Sequence, residues 1–296
     1  MSFQTVVQYA LAFGGISITA ILTLIYFYQS RLIYLPQLPA GSRETVWAPS
    51  QFQMEFEEVW IETEDGISLH AYWIPKKKKE KKEEEKEKKE EENFTILYCH
   101  ANAGNMGHRL PIAQVLHSTV ESNILMFSYR GYGKSKGTPN EAGMKKDANA
   151  VFKYLLERKS KVVPYGQSIG GAVAIYLYSA FADQISGIIV ENTFTSIPEL
   201  IPSVLPIFKH VAFLCTEKWE SYQALCRISK EKPVLFLSGK KDELVPHSHM
   251  LKLYSALPSS ASKQLKIFDN GTHNDTCLQD GYFESISHWW KEHIQK

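Results

Sequence analysis

A serine set two residues from glycine on either side, Gly166-Gln167-Ser168-Ile169-Gly170, stands between a short apolar run ending at Tyr165 and an Ala-rich helical stretch beginning at Ile169. There the pattern G-x-S-x-G has a mechanical meaning. A strand reverses sharply into a helix, backbone passes close to backbone, and the serine hydroxyl is pushed out above the sheet edge. Such a hydroxyl attacks a carbonyl only if a base takes its proton, and the base needs an acid that fixes its tautomer and stabilises the imidazolium. Two downstream loops offer these groups. Leu235-Phe236-Leu237-Ser238-Gly239-Lys240-Lys241-Asp242 reads as a strand and loop, with Asp242 beyond the strand end, and Leu265 to Phe268 reads as the last strand, followed by a loop that carries His273. Ser168, Asp242 and His273 are therefore the candidate nucleophile, acid and base. Each partner has a plainer reading, Asp242 as a helix cap before Leu244 and His273 as an exposed loop residue; Glu191, directly after Ile188 to Val190, is the rival acid.

An acyl-transfer site must also stabilise negative charge on oxygen with preorganised N–H donors. The stretch from Cys99 to Asn105 follows the first parallel strand, so the backbone amide of Asn102, or of its neighbour Ala101, is expected to pair with that of Ile169. His100 is expected to hold this loop, since His273 fills the base position. Gly133-Lys134-Ser135 is like a phosphate-loop ending, but Ser128 occupies the required earlier glycine position, which leaves a turn. His247 and His249 lack an H-E-x-x-H frame and a carboxylate cluster, so neither a metal nor a cofactor is expected.

Loops of this kind need strands to carry them. From Thr95 onward, short apolar runs (Ile96 to Cys99, Ile124 to Phe127, Val162 to Tyr165, Ile188 to Val190, Val234 to Leu237, Leu265 to Phe268) alternate with helix-length segments near His108 to Thr119, Glu141 to Arg158, Ile169 to Phe181, Ser248 to Leu257 and Tyr282 to His293. This predicts an α/β fold with a mostly parallel central sheet and helices on both faces. Before it, Glu57 to Thr63 and Ile67 to Ile74 alternate around Glu64-Asp65-Gly66 and predict a hairpin. Pro164 is awkward inside a central strand, because proline cannot donate a ladder hydrogen bond.

The 296 residues are 44% hydrophobic, enough for one large domain, 54–296, and the formal charge is +1. Setting aside Lys76 to Glu92, with its nine lysines and eight glutamates, leaves 24 charges of each sign, so no nucleic-acid partner is expected. That run, 76–92, reads as a solvated insertion. Cys99, Cys215, Cys226 and Cys277 are too few and too scattered for a disulfide scaffold and read as buried free thiols. Val6 to Tyr28 has 23 residues without formal charge. As a helix it would extend roughly 35 Å, against a hydrocarbon core of about 30 Å, so residues 1–36 are expected to be an uncleaved transmembrane anchor and 37–53 a linker. Arg31 and Arg43 favour a cytosolic domain, whereas sequons at Asn93, Asn270 and Asn274 would be used only in a lumen. The apolar, proline-punctuated stretch from Ile197 to Leu214 falls in a candidate cap, 195–225, and could line an acyl pocket.

His100-Ala101-Asn102-Ala103-Gly104-Asn105, Tyr129-Arg130-Gly131-Tyr132-Gly133-Lys134-Ser135, Gly166 to Gly171, Glu191-Asn192-Thr193-Phe194-Thr195-Ser196 and His273-Asn274-Asp275 together resemble the successive motifs of the membrane-anchored α/β-hydrolase domain-containing family, its thirteen subgroup and the related fungal bud-emergence class. The order Ser, Asp, His is also that of the α/β-hydrolase fold. Ala101 stands where many members carry glycine. The resemblance implies a single-pass serine hydrolase, of the endoplasmic reticulum or plasma membrane, with Ser168, Asp242 and His273 as its triad. A membrane anchor would concentrate the enzyme near lipid esters or S-acylated proteins, and similarity to depalmitoylating relatives, the seventeen subgroup, points to the latter as substrate. A serine peptidase and a membrane scaffold with a vestigial site are the alternatives.

Overall fold

Apolar runs without a polar face can satisfy their backbone only inside a sheet covered on both sides, and this dictates the architecture. The computed structural model describes residues 2–77, 93–228 and 231–295, and within the first helix the side chains of 3, 6, 7, 10–12 and 14–18 lie outside the described residues. In chain order the elements are α1 (Phe3–Ile33), β1 (Glu57–Glu62), β2 (Ser68–Ile74), β3 (Phe94–Cys99), α2 (Leu110–Val120), β4 (Asn123–Phe127), α3 (Glu141–Glu157), β5 (Lys161–Gln167), α4 (Ile169–Phe181), β6 (Ile188–Glu191), α5 (Ile197–Val204), α6 (Ser221–Cys226), β7 (Val234–Gly239), α7 (His247–Ala256), β8 (Lys263–Phe268) and α8 (Tyr282–His293). The strands form one sheet in the order β1-β2-β4-β3-β5-β6-β7-β8. β1 and β2 form the expected antiparallel hairpin, β2 runs antiparallel to β4, and every later pairing is parallel.

Alternation along the central strands divides their side chains between two cores. Leu97 and Cys99 of β3, with Val234 and Phe236 of β7, pack with Val151 of α3 and Val173 of α4. Ile96, Tyr98, Leu235 and Leu237 point the other way, onto Leu116 of α2 and Trp289 of α8. Each fully buried aliphatic side chain contributes about 1.5–3 kcal/mol, so losing either helical layer would expose most of one core. Pro164 does lie within β5, opposite Leu97 of β3. It falls between an isolated Val162–Ile185 bridge and Tyr165, where pairing with β6 begins, so its missing N–H removes no rung from the β5–β6 ladder.

The structure adds to three expectations. Among the described residues no helix is long and apolar enough to cross a membrane. The unbroken described part of α1, Thr19 to Ile33, would measure only about 22 Å, short of a hydrocarbon core, and much of the span expected at 6–28 lies outside the described side chains. The segment 37–53, expected as a linker, is bonded to the domain. Asn105 Nδ2 donates to Ser42 O and Thr45 O at 2.8 and 2.9 Å, and Arg43 donates to Ser135 O at 3.1 Å. Cys226 is exposed, because the short helix α6 turns only Ser221 and Leu225 inward; the other three thiols are buried. The charged insertion, from residue 78 to 92, lies outside the described residues.

Two features just beyond β3 carry measurable consequences. α4 crosses the end of this strand so closely that a Cβ on Gly170 would sit 2.0 Å from Cys99 O. His100 is fully buried between Tyr129 and Tyr132, with ring centroids 4.4 and 5.3 Å away, and its Nδ1 donates to Ala101 O at 2.7 Å. Burial lowers its pKa from an ordinary 6.5 to about 3. Between those values only the unfolded chain takes the proton, so stability is lost as pH falls from 6.5 toward 3.

Gly170→Ala should therefore cost about 3 kcal/mol, because backbone rather than a flexible side chain must yield, and chemical denaturation will show it. Denaturation at a series of pH values should give a stability that declines below pH 6.5, with His100 contributing up to about 1.4 kcal/mol per pH unit. His100→Asn should flatten that slope by about one proton.

Candidate active site

The reversal expected between β5 and α4 is present. Ser168 sits at φ 56° and ψ −120°, a region that side chains other than glycine rarely occupy and that persists only where surrounding structure imposes it. Here the imposition is visible. Ser168 N donates to Glu191 O at 2.9 Å, and Thr193 Oγ1 donates to Ser168 O at 2.7 Å. A Cβ on Gly166 would meet Gly170 O at 2.0 Å, and one on Gly171 would meet the Thr193 side chain at 2.6 Å, so glycine at both places permits the crossing.

Asp242 lies in the turn after β7, and its two oxygens divide the work. Oδ1 accepts from Leu244 N and Val245 N at 2.9 and 2.7 Å, while Oδ2 faces His273 Nδ1 at 2.8 Å. The capping and the catalytic readings of Asp242 are thus compatible, since one carboxylate holds the turn and the ring together. A carboxylate only accepts, so Nδ1 carries the proton and Nε2 presents a lone pair. His273 is buried, not an exposed loop residue. Glu191, the rival acid, is spent elsewhere: its Oε2 accepts from Tyr165 and Tyr282 hydroxyls at 2.7 and 2.5 Å. Burial raises the pKa of this carboxyl, and the two hydroxyls oppose the shift.

Two side chains to which sequence reasoning gave no role tie the His273 loop to the reversal at Ser168. Gln167 Nε2, on the residue preceding Ser168, donates to His273 O at 2.9 Å. Asn192, at φ 43° beyond β6, accepts from Gly239 N at 2.8 Å and donates to Thr272 O at 3.1 Å, stapling the ends of β6 and β7 to the His273 loop. Side-chain amides at strand ends, Gln167 closing β5 and Asn192 following β6, were the available signal. The Ser168 hydroxyl, on a residue 8% exposed, makes no hydrogen bond to a described residue.

The loop after β3 lies against the first turn of α4, where Gly170 approaches the carbonyls of Cys99 and His100. Neither the Asn102 nor the Ile169 backbone N–H donates to a described residue, leaving two amides available at this edge. The Asn102 side chain is bonded to Ile33 O, Leu35 N, Ala103 N and the Tyr132 hydroxyl. α5, a 3₁₀ segment (Pro206–Leu214) and α6 are inserted between β6 and β7. Ile201, Leu205, Phe208 and Leu214 of this insertion close a narrow apolar cavity of about 60 Å³ against Leu22 and Tyr26 of α1. None of Ser168, Asp242 and His273 lines it.

Comparison with known proteins agrees with this architecture. A family model described as alpha/beta hydrolase fold matches residues 95–212. The protein bem46 of Schizosaccharomyces pombe is 44% identical over 300 residues, covering 98% of this chain and 96% of that one. The uncharacterized membrane protein YNL320W of Saccharomyces cerevisiae is 40% identical, with 92% and 93% coverage, and the alpha/beta hydrolase domain-containing protein WAV2 of Arabidopsis thaliana is 35% identical, with 96% and 91%. A Pyrococcus furiosus esterase superimposes with a TM-score of 0.68 at 20% identity, covering 85% of this chain and 97% of that one, and so shares the fold. With a G-x-S-x-G reversal on a doubly covered parallel sheet and whole-length relatives of this kind, the chain belongs to the α/β-hydrolase domain-containing family, in the class that includes bem46.

Proposed function

We propose that this protein is a serine hydrolase that cleaves a carboxylic ester or thioester, with Ser168 as nucleophile, His273 as general base and acid, and Asp242 as the group that orients His273. The observation that carries this reading is the pairing of a left-handed Ser168 at the strand–helix reversal with a His273–Asp242 hydrogen bond whose loop is tied to the residue next to that serine. Ser168 Oγ bonds to the carbonyl carbon as its proton passes to His273 Nε2. The amides of Asn102 and Ile169 donate to the resulting oxyanion. Collapse breaks the bond to the alcohol or thiol, which leaves with the proton from His273. Water then repeats the sequence, giving up a proton to His273 and releasing the acid and free Ser168.

A lipid ester or an S-acylated protein is the substrate class this reading favours, because α1 would hold the site at a bilayer. Several observations support membrane attachment at this end of the molecule. α1 exposes Ile21, Leu24, Phe27 and Leu32, and the nearby 3₁₀ segment exposes Ile207 and Phe213 at 83% and 73%. The relative from Saccharomyces is itself called a membrane protein. The insertion from α5 to α6 would serve as a small cap facing the lipid. A cytosolic domain fits better than a lumenal one: Arg31 and Arg43 follow the apolar stretch, and the Asn93 side chain is occupied with Arg158 O at 3.1 Å and Asn123 Nδ2 at 2.7 Å. A single-pass protein of the endoplasmic reticulum or plasma membrane is the corresponding location.

A fluorophosphonate probe should label the wild type and leave Ser168→Ala unlabelled, and turnover of a short-chain p-nitrophenyl ester should fall by at least about a thousandfold in Ser168→Ala and in Asp242→Asn. Labelling that persists in Ser168→Ala would reject the nucleophile. Protease added to sealed microsomes should digest the domain without detergent; protection would exclude the cytosolic orientation.

A further inference from the structure

The exit of α1 is built into the loop that carries the Asn102 amide. Helix ends leave carbonyls without partners, and here the Asn102 side chain supplies one: its Nδ2 donates to Ile33 O at 2.6 Å. Its Oδ1 accepts from Leu35 N, from Ala103 N and from the Tyr132 hydroxyl at 3.0, 3.0 and 2.7 Å. Three donors on the oxygen and a carbonyl on the nitrogen admit a single orientation of the amide. The next two residues, Ala103 and Gly104, are left-handed at φ 63° and 72°, and Gly104 N donates to Leu38 O at 2.5 Å. The loop therefore turns around the chain that leaves α1.

The opposite side of that chain is clamped as well. Tyr34 is buried, and its hydroxyl donates to Glu217 Oε2 at 2.6 Å while accepting from Trp219 Nε1 at 2.9 Å. Ser30 Oγ donates to Glu217 Oε1 at 2.7 Å, and Thr216 N donates to Gln29 Oε1 at 2.6 Å. Residues 29–38 are thus gripped between the loop after β3 and the segment that leads into α6. A tether that merely joined helix to domain would need none of these contacts.

We infer that Asn102 is a positioning residue whose side chain uses the exit of α1 to hold its own backbone N–H toward the oxyanion, so that the amino-terminal helix is a working part of the hydrolase site. The inference rests on the proposed serine-hydrolase reading. A side chain that only capped α1 would, when removed, loosen the helix and leave the chemical step alone. One that sets the donor would lower kcat and spare KM, because the lost interaction is made in the transition state.

The test uses full-length protein in detergent micelles, with a p-nitrophenyl ester for kcat and KM, thermal melting for the fold, and timed trypsin cleavage at Arg31 and Arg43 for the exit. Asn102→Ala should lower kcat by about tenfold with KM within about twofold, and should speed cleavage at these arginines. Asn102→Asp, which keeps the acceptors and loses the donor to Ile33 O, should fall between. Tyr132→Phe and Tyr34→Phe, each removing one hydroxyl from one side of the exit, should each lower kcat by about threefold without shifting KM; they decide the matter if Asn102→Ala does not fold. Wild-type kcat in both phenylalanine variants and in Asn102→Asp, alongside Ser168-dependent turnover of the wild type, would overturn the inference. A wild type without Ser168-dependent turnover would instead remove the hydrolase reading, and this inference with it.

Discussion

The chain reverses at Ser168 in a backbone conformation that costs free energy, and what holds it there also arranges its surroundings. The residue cannot relax because the strand before it, the helix after it and β6 beside it are joined by short hydrogen bonds through Ser168 N and Ser168 O. Those bonds require α4 to lie almost on top of β3, which only glycine at 166, 170 and 171 allows. Strain of about 1–3 kcal/mol at one residue is tolerable when two hydrophobic cores fix the elements on either side. The same crossing leaves the Ile169 amide at the edge where the loop after β3 arrives.

Polar side chains finish what the sheet begins. Parallel strands end at one edge, but their loops are otherwise free to diverge, and burying them leaves backbone groups that must find partners. Asn192 and Gln167 supply those partners by bonding to carbonyls around His273, and Asp242 does so for two amides of its own turn. Each of these bonds contributes about 0.5–1.5 kcal/mol to the fold, yet removing one partner would leave a buried group unsatisfied at a larger cost. Orientation of the imidazole is therefore a by-product of satisfying backbone in the loops around it.

The amino terminus is joined to the domain by the same economy. An exposed helix end would leave its last carbonyls to water, whereas Asn102, Glu217 and Trp219 enclose the exit of α1 and make it continuous with the α/β domain. Ile207 and Phe213 of the insertion remain exposed, while Phe208 and Leu214 pack against α1. Exposed apolar surface of this kind is a common mark of an interaction site.

Local sequence determined the alternating strands and helices, the hairpin at Glu64-Asp65-Gly66 and the reversal at Ser168, because each depends on residues within one turn or one strand of each other. Ile169–Phe181 and Tyr282–His293 form helices over the ranges the pattern predicts. Tertiary structure alone separated the surroundings of Glu191 and Asp242, both acidic and both at a strand end: Glu191 accepts from two tyrosine hydroxyls, and Asp242 faces the His273 imidazole. It also decided the work of Gln167, Asn192 and the Asn102 side chain, the accommodation of Pro164, and the exposure of Cys226. Their partners lie far away along the chain, such as Ile33 for Asn102 and His273 for Gln167. A hydrogen bond is decided over about 3 Å of space, and no local pattern encodes which distant carbonyl will arrive within that distance.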